Sequence, residues 1–253
     1  MTLAIETRGL SRRFGDVVAV DGLDLRVEAG TFYGFLGPNG AGKSTTIKML
    51  TGLLAPSGGV MRVLDQDLSD REGAREIKRR VGVVPEQLGL FENLTGREYL
   101  TFIGRMYRLP RPTIRDRCAE LLAMMSLQNE EKKLTLEYSH GMKKKLALAA
   151  ALIASPDVLF LDEPFEGIDA VSSRMLRDTL RRCVQRGATV FLTSHVLEIV
   201  EKLCTAVGII AQGKLVYQGT MAEIRRGGSL EDRFIEAVGL GQVERQTLSW
   251  LEG

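Results

Sequence analysis

Cysteine is scarce, long apolar runs are missing, and net charge is small. The three cysteines, Cys118, Cys183 and Cys204, stand far apart and form no C-x-x-C pair. This excludes a disulfide framework and a zinc cluster as the organising device, and fits reduced, buried thiols of a cytosolic protein. The longest apolar run, Leu146 to Ala154, falls well short of the roughly 20 residues that a membrane span needs. Met1-Thr2-Leu3-Ala4-Ile5-Glu6 has neither a basic start nor an apolar core, so no secretory signal is read there. The chain is expected to be soluble, with any membrane role exercised through a partner. A net charge of +2 implies no strong field for nucleic acid, and none is expected as a partner. The short basic runs Lys143-Lys144-Lys145 and Arg225-Arg226 read mostly as solvated helix faces.

What is present is a chain of 253 residues with 44% hydrophobic content, enough for a well-buried core. It is organised around Gly37-Pro38-Asn39-Gly40-Ala41-Gly42-Lys43-Ser44-Thr45. An apolar run, Thr31 to Leu36, precedes this stretch, and a helical pattern from Thr45 to Gly52 follows it. The spacing G-x-x-x-x-G-K-S describes a phosphate-binding loop. Glycines let the backbone take positive φ and approach a phosphate closely. The helix that begins there aims its free N–H groups and dipole at the anion. Lys43 is placed to reach the β- and γ-phosphates, and the Ser44 hydroxyl to ligate Mg²⁺.

Ahead of the loop, Leu3 to Phe14, Val17 to Val20 and Leu23 to Val27 read as strands punctuated by Gly15 and Gly22. Leu23, Leu25 and Val27 alternate with Asp24 and Arg26, the pattern of a half-exposed antiparallel strand. Phe14 has two readings: a face for adenine, or a core aromatic. After the loop come a strand at Val60 to Leu64, a charged helix at Arg71 to Arg80 and a buried strand at Val81 to Val84, stopped by Pro85. The texture then turns helical. Thr95-Gly96-Arg97-Glu98 is a capping box that opens a helix to about Tyr107. Thr113 to Ser126 is amphipathic, and Gly141 to Ala154 follows Ser139. Strands return at Val158 to Leu161, Thr189 to Thr193, Ala206 to Ala211 and Lys214 to Gln218. Helices fill Ala170 to Arg186 and Val196 to Leu203, and two short helical stretches close the chain.

Asp162 and Glu163 end an apolar strand of the parallel type, where α/β sheets bind ligands. Asp162 is assigned to Mg²⁺ and Glu163 to polarising the water that attacks the γ-phosphorus. His195 leaves the next strand at the same edge, placed to donate to the γ-phosphate or to orient that water.

Together these stretches resemble the ATP-binding subunit of ABC (ATP-binding cassette) transporters, over about Ile5 to Gln218. Gly37 to Thr45 matches Walker A and Leu159 to Glu163 matches Walker B. Tyr138-Ser139-His140-Gly141-Met142-Lys143 is similar to the family signature, usually L-S-G-G-Q. Gly167-Ile168-Asp169 matches the D-loop, and His195 the switch histidine. The resemblance implies a P-loop NTPase core of α/β class, with an antiparallel β-layer and an inserted all-helical subdomain. The core and β-layer are expected over 1–87 and 155–220, the helical subdomain over 88–154 and a helical tail over 221–253. It implies Mg²⁺-dependent ATP hydrolysis in a head-to-tail dimer of two ATP-binding subunits, identical or different. Each ATP is held by Walker A of one copy and by Ser139 and Gly141 of the other.

The implied partner is an integral membrane permease, encoded separately and typically an exporter. The chain is then cytoplasmic, peripheral on the inner face of the cell membrane. Phe14 takes the adenine-facing place, and Glu86 aligns with the Q-loop glutamine, as an oxygen ligand for Mg²⁺ beside Ser44 and Asp162. The departures are His140 for a glycine and Met142 for a glutamine in the signature, and Glu86 for the Q-loop glutamine. A soluble ABC ATPase outside transport is the alternative. Length argues against the repair members with coiled-coil inserts and the two-cassette translation members, but not against single-cassette cluster-assembly members.

Overall fold

Three central strands, Phe32–Leu36, Val158–Asp162 and Thr189–Thr193, are buried at every position. The computed structural model describes residues 2–239. Strands β1 (Leu3–Phe14), β2 (Val17–Leu23), β3 (Arg26–Glu28), β5 (Gly58–Val63) and β6 (Gln66–Asp67) form an antiparallel layer, ordered β2-β1-β5-β6 with β3 also paired to β1. The second sheet has six strands: β4 (Phe32–Leu36), β7 (Val81–Val84), β8 (Val158–Asp162), β9 (Thr189–Thr193), β10 (Ala206–Ala211) and β11 (Lys214–Thr220). Its order is β11-β10-β4-β9-β8-β7, parallel throughout except for β11.

The helices are α1 (Lys43–Leu50), α2 (Arg71–Arg80), α3 (Gly96–Met106), α4 (Arg111–Met124), α5 (His140–Leu152), α6 (Ala170–Gln185), α7 (Leu197–Leu203), α8 (Met221–Gly227) and α9 (Leu230–Val238). Two of their caps were legible beforehand. Thr95 and Glu98 form the expected reciprocal box at α3, and Ser139 accepts from the Met142 amide at α5.

The two-residue period of β-strands divides the parallel sheet between two cores. Tyr33, Phe35, Phe160 and Phe191 face the β-layer and α1. Tyr33 stacks on Phe191 with centroids 5.4 Å apart. Phe32, Leu36, Leu159, Leu161, Val190 and Leu192 face the other way, into a core shared with α3 to α6. Residues 88–154 therefore hold three helices whose buried faces join the same core as the sheet. Gly82 marks where α5 lies on β7, since a Cβ there would stand 2.4 Å from the Ala151 carbonyl oxygen.

The structure corrects one strand. Leu23 to Val27 is divided: Leu23 ends β2, and Val27 belongs to β3, opposite Ile5. The hydroxyl of Thr7 donates to Leu23 O at 2.7 Å and accepts from Leu25 N at 2.9 Å, and Asp24 accepts from Gly9 N at 2.7 Å. These side-chain bonds replace strand pairing at the break. The in–out alternation is as expected, with Leu23, Leu25 and Val27 buried.

Cys118 and Cys204 are buried and Cys183 is partly so, all three as thiols. The expected tail, 221–253, is described to Gly239, where α9 packs Leu230 and Phe234 into the core beside β10; 240–253 lies outside the described residues. Among the described residues, no helix is long and apolar enough to cross a membrane.

Candidate functional site

Strand order brings the chemistry together. β9 lies between β4 and β8, so the phosphate loop after β4 and the acidic pair at the end of β8 flank the end of β9. Register aligns the three ends, with Thr193 opposite both Phe35 and Asp162. A cleft of about 510 Å³ opens there, lined by Asn39, Gly40, Gly42, Lys43, Ser44, Thr45, Glu86, Asp162, Glu163 and His195, together with Ala19 and Glu166.

The loop needs its glycines. Gly42 has φ 109°, and a Cβ there would stand 2.5 Å from Ala19 O; at Gly37 the clash would be with Ile210 O at 2.3 Å. Ala41 is buried and its carbonyl accepts from Gly213 N at 3.0 Å, which fixes the loop to the β10–β11 turn. Lys43 is buried, and its ammonium donates to Gly37 O at 2.7 Å and Pro38 O at 3.1 Å. An ammonium held only by carbonyls, above a cradle that excludes side chains, fits a phosphate.

The carboxylates are set by one hydroxyl. Thr193, fully buried, donates to Asp162 Oδ1 and accepts the Glu163 amide at 3.1 Å. Asp162 is buried, whereas Glu163 turns into the cleft with φ 49°, a left-handed conformation unusual for a side-chain-bearing residue. Its Oε2 lies 3.0 Å from His195 Nδ1 and accepts from the His195 amide at 3.4 Å. Ser44 Oγ donates to Glu86 Oε2 at 3.4 Å across the cleft. Ser44, Asp162 and Glu86 thus form a set of hard oxygen donors, suited to a cation that also takes phosphate oxygens. Among the described residues, no group of three or more His, Cys, Asp or Glu side chains is placed to hold a metal by itself.

Three expected site residues lie apart from this cleft. Ser139 is exposed at the start of α5, and Gly141 lies against the Gly167 carbonyl, 3.1 Å from where its Cβ would be. The signature therefore rests on its own chain's Gly167-Ile168-Asp169 and does not line the cleft that holds Lys43. Phe14 also lies outside that lining. It is 47% exposed, which overturns the core reading, and the Arg12 guanidinium covers its ring at 4.6 Å.

The lysine run is a further correction. Lys144 is 2% exposed, and its ammonium donates to Glu166 O at 2.9 Å, so this lysine is no part of a solvated face. Burial lowers its pKa, and the carboxylates of Glu166, Glu163, Asp162 and Glu86 oppose that shift. Reading from sequence missed Thr193 and Lys144. A threonine ending an apolar strand, and the middle lysine of three, were the available signals.

A phosphate loop, a parallel sheet with its acidic strand end one strand away, and a separate antiparallel layer define a P-loop ATPase. Within that class, a profile of the ABC transporter family matches residues 20–166, more than half of the chain. The daunorubicin/doxorubicin resistance ATP-binding protein DrrA of Streptomyces peucetius is 41% identical over 88% of this chain and 67% of its own. The Nod factor export ATP-binding protein I of Burkholderia lata is 40% identical over 85% of this chain and 70% of its own. A solved ATP-binding subunit of an ABC transporter superposes with a TM-score of 0.86 at 29% identity, covering 92% of this chain and 99% of its own. The chain belongs to the ABC transporter family. It is an ATP-binding and ATP-hydrolysing subunit, of the kind that works with a membrane permease.

Proposed function

We propose that this subunit powers an exporter whose permease is a separate chain, and that it hydrolyses ATP with Glu163 as the water-polarising base. The supporting observation is the pairing of Glu163 Oε2 with His195 Nδ1 at 3.0 Å, in the cleft that also holds Lys43 and Ser44. His195 fixes Oε2 and leaves Oε1 to take a proton from water. Lys43 and the amides of Gly40 to Thr45 bind the β- and γ-phosphates, with Gly37, Pro38, Asn39 and Ala41 shaping the loop. Ser44, Asp162 and Glu86 would hold Mg²⁺, which would neutralise phosphate charge there. Phe14 lies beside the adenine.

Ser139 is exposed, and together with Gly141 it completes the site of a second copy. The helix start that Ser139 caps presents amides and a positive dipole end to a γ-phosphate there. Residues 88–154 act as the helical subdomain on which the permease docks. A groove of about 490 Å³, lined by Leu53, Val83, Leu88, Leu90, Tyr99 and Ile103 among others, suits an apolar segment of that partner. Export rests on the relatives, one named for drug resistance and one for Nod factor export. Docking would hold the chain at the inner face of the cell membrane.

The test is Glu163→Gln. Hydrolysis is expected to fall about 100-fold or more. ATP affinity is expected to stay near the parent value, and a nucleotide-bridged dimer to accumulate in sizing chromatography. Hydrolysis at the parent rate would remove Glu163 from the reaction.

A further inference from the structure

Apart from Lys43, Lys144 is the only buried cationic side chain among the described residues, and the roles above do not use it. Positions 140 and 144, and 141 and 145, are one turn apart, so the four share a face of α5. All four meet the segment 166–169. A Cβ on Gly167 would stand 3.1 Å from the His140 ring, and one on Gly141 would stand 3.1 Å from Gly167 O. Lys145 Nζ lies 3.3 Å from Asp169 Oδ2, and Lys144 Nζ donates to Glu166 O at 2.9 Å. Glu166 N in turn reaches Glu163 O at 3.4 Å. One tight turn thus separates the buried ammonium from the residue assigned to the water.

An ammonium is costly to bury, and apolar contacts could have filled the same space. α5 is otherwise apolar on its buried side, with Leu146 to Ala151 in the core. Glu166, Glu163, Asp162 and Glu86 all line the nearby cleft, and their carboxylates favour the charged form of the lysine.

We propose that Lys144 is a positioning residue for hydrolysis: it ties α5, the helix capped by Ser139, to the Glu166 carbonyl, and so sets the turn that carries Glu163. A phosphate drawing on the N-terminus of α5 then acts on the water-polarising carboxylate of the same chain through that hydrogen bond and the turn from Glu163 to Glu166. This deepens the reading of Glu163 given above and rests on it.

The experiment uses the full chain with Mg²⁺ and ATP, comparing Lys144→Met, Lys144→Arg, Glu163→Gln and the double variant K144M/E163Q. A fluorescent ATP analogue reports binding. K144M is expected to bind the analogue within about threefold of parent and to lose about 10- to 100-fold in kcat, the scale of a misplaced catalytic group. K144R, which keeps a donor and a charge, is expected to recover a large part of kcat. K144M added to E163Q is expected to cost nothing further, since both act through one carboxylate. Parent kcat in K144M, affinity falling in step with rate, no recovery by K144R, or multiplying losses in the double variant would each overturn the proposal. If K144M does not fold, Lys144→Gln is read in its place. A parent rate in E163Q alone would instead sink the Glu163 reading, whatever the lysine variants do.

Discussion

Thr193→Val removes one hydroxyl and little else. Both residues are β-branched, and position 193 is a fully buried strand residue, so shape and strand preference are kept. Two hydrogen bonds go with the hydroxyl: the one donated to Asp162 and the one accepted from the Glu163 amide. The first involves a carboxylate, worth about 1.5–3 kcal/mol, and the second about 0.5–1.5 kcal/mol. Together that is a loss of about 2–4.5 kcal/mol. A chain of this size loses about 2–4 °C in Tm per kcal/mol, so the melt is expected to fall by about 4–18 °C. The same change frees both the Mg²⁺ carboxylate and the residue beside it. With the protein still folded at assay temperature, kcat is expected to drop about 10- to 100-fold and half-saturation to need more Mg²⁺. Circular dichroism melts and steady-state phosphate release over a Mg²⁺ titration give both numbers. Thr193→Ser keeps the hydroxyl and should hold most of the activity. A valine variant with parent kcat and a Tm within about 2 °C of parent would refute the view that this hydroxyl organises the site.

Two further outcomes are expected. Gly42→Ala places a methyl group 2.5 Å from Ala19 O at φ 109°, so affinity for a fluorescent ATP analogue should fall at least about tenfold with the circular dichroism spectrum retained; unchanged affinity would exclude close phosphate approach there. Burial raises the Cys204 thiol far above its ordinary range, so it should resist a thiol reagent at neutral pH until the chain is unfolded. The unfolded thiol ionises near its ordinary pKa of about 8.5 while the native one stays protonated, so this contribution to stability is full below that pH and declines above it, as a pH series of urea melts would show.

Much of the site could be read from residue order because phosphate binding makes local demands. Glycines, a lysine and a helix start must be contiguous, and Gly37 to Thr45 is contiguous. The acidic strand end at Asp162 was legible for the same reason, since a fully buried parallel strand has no alternation. Contacts made across the sheet were hidden. Nothing in Thr189 to Thr193 announces that its last hydroxyl serves two residues about thirty positions earlier. Lys143-Lys144-Lys145 has the look of a solvated run, and only the packing of α5 on residues 166–169 separates the buried lysine from its neighbours. The break between Leu23 and Arg26 was hidden too, because side chains from Thr7 and Asp24 create it while the burial alternation runs on undisturbed.

The two carbonyls that hold the Lys43 ammonium have a consequence for recognition. A free lysine would surrender much of its side-chain motion on meeting an anion, at a cost of up to about 2 kcal/mol. Here that motion was given up when the chain folded, because Gly37 O and Pro38 O already fix the head of the side chain. An arriving nucleotide meets a docking point that is already stiff, and more of the attraction between opposite charges survives as affinity.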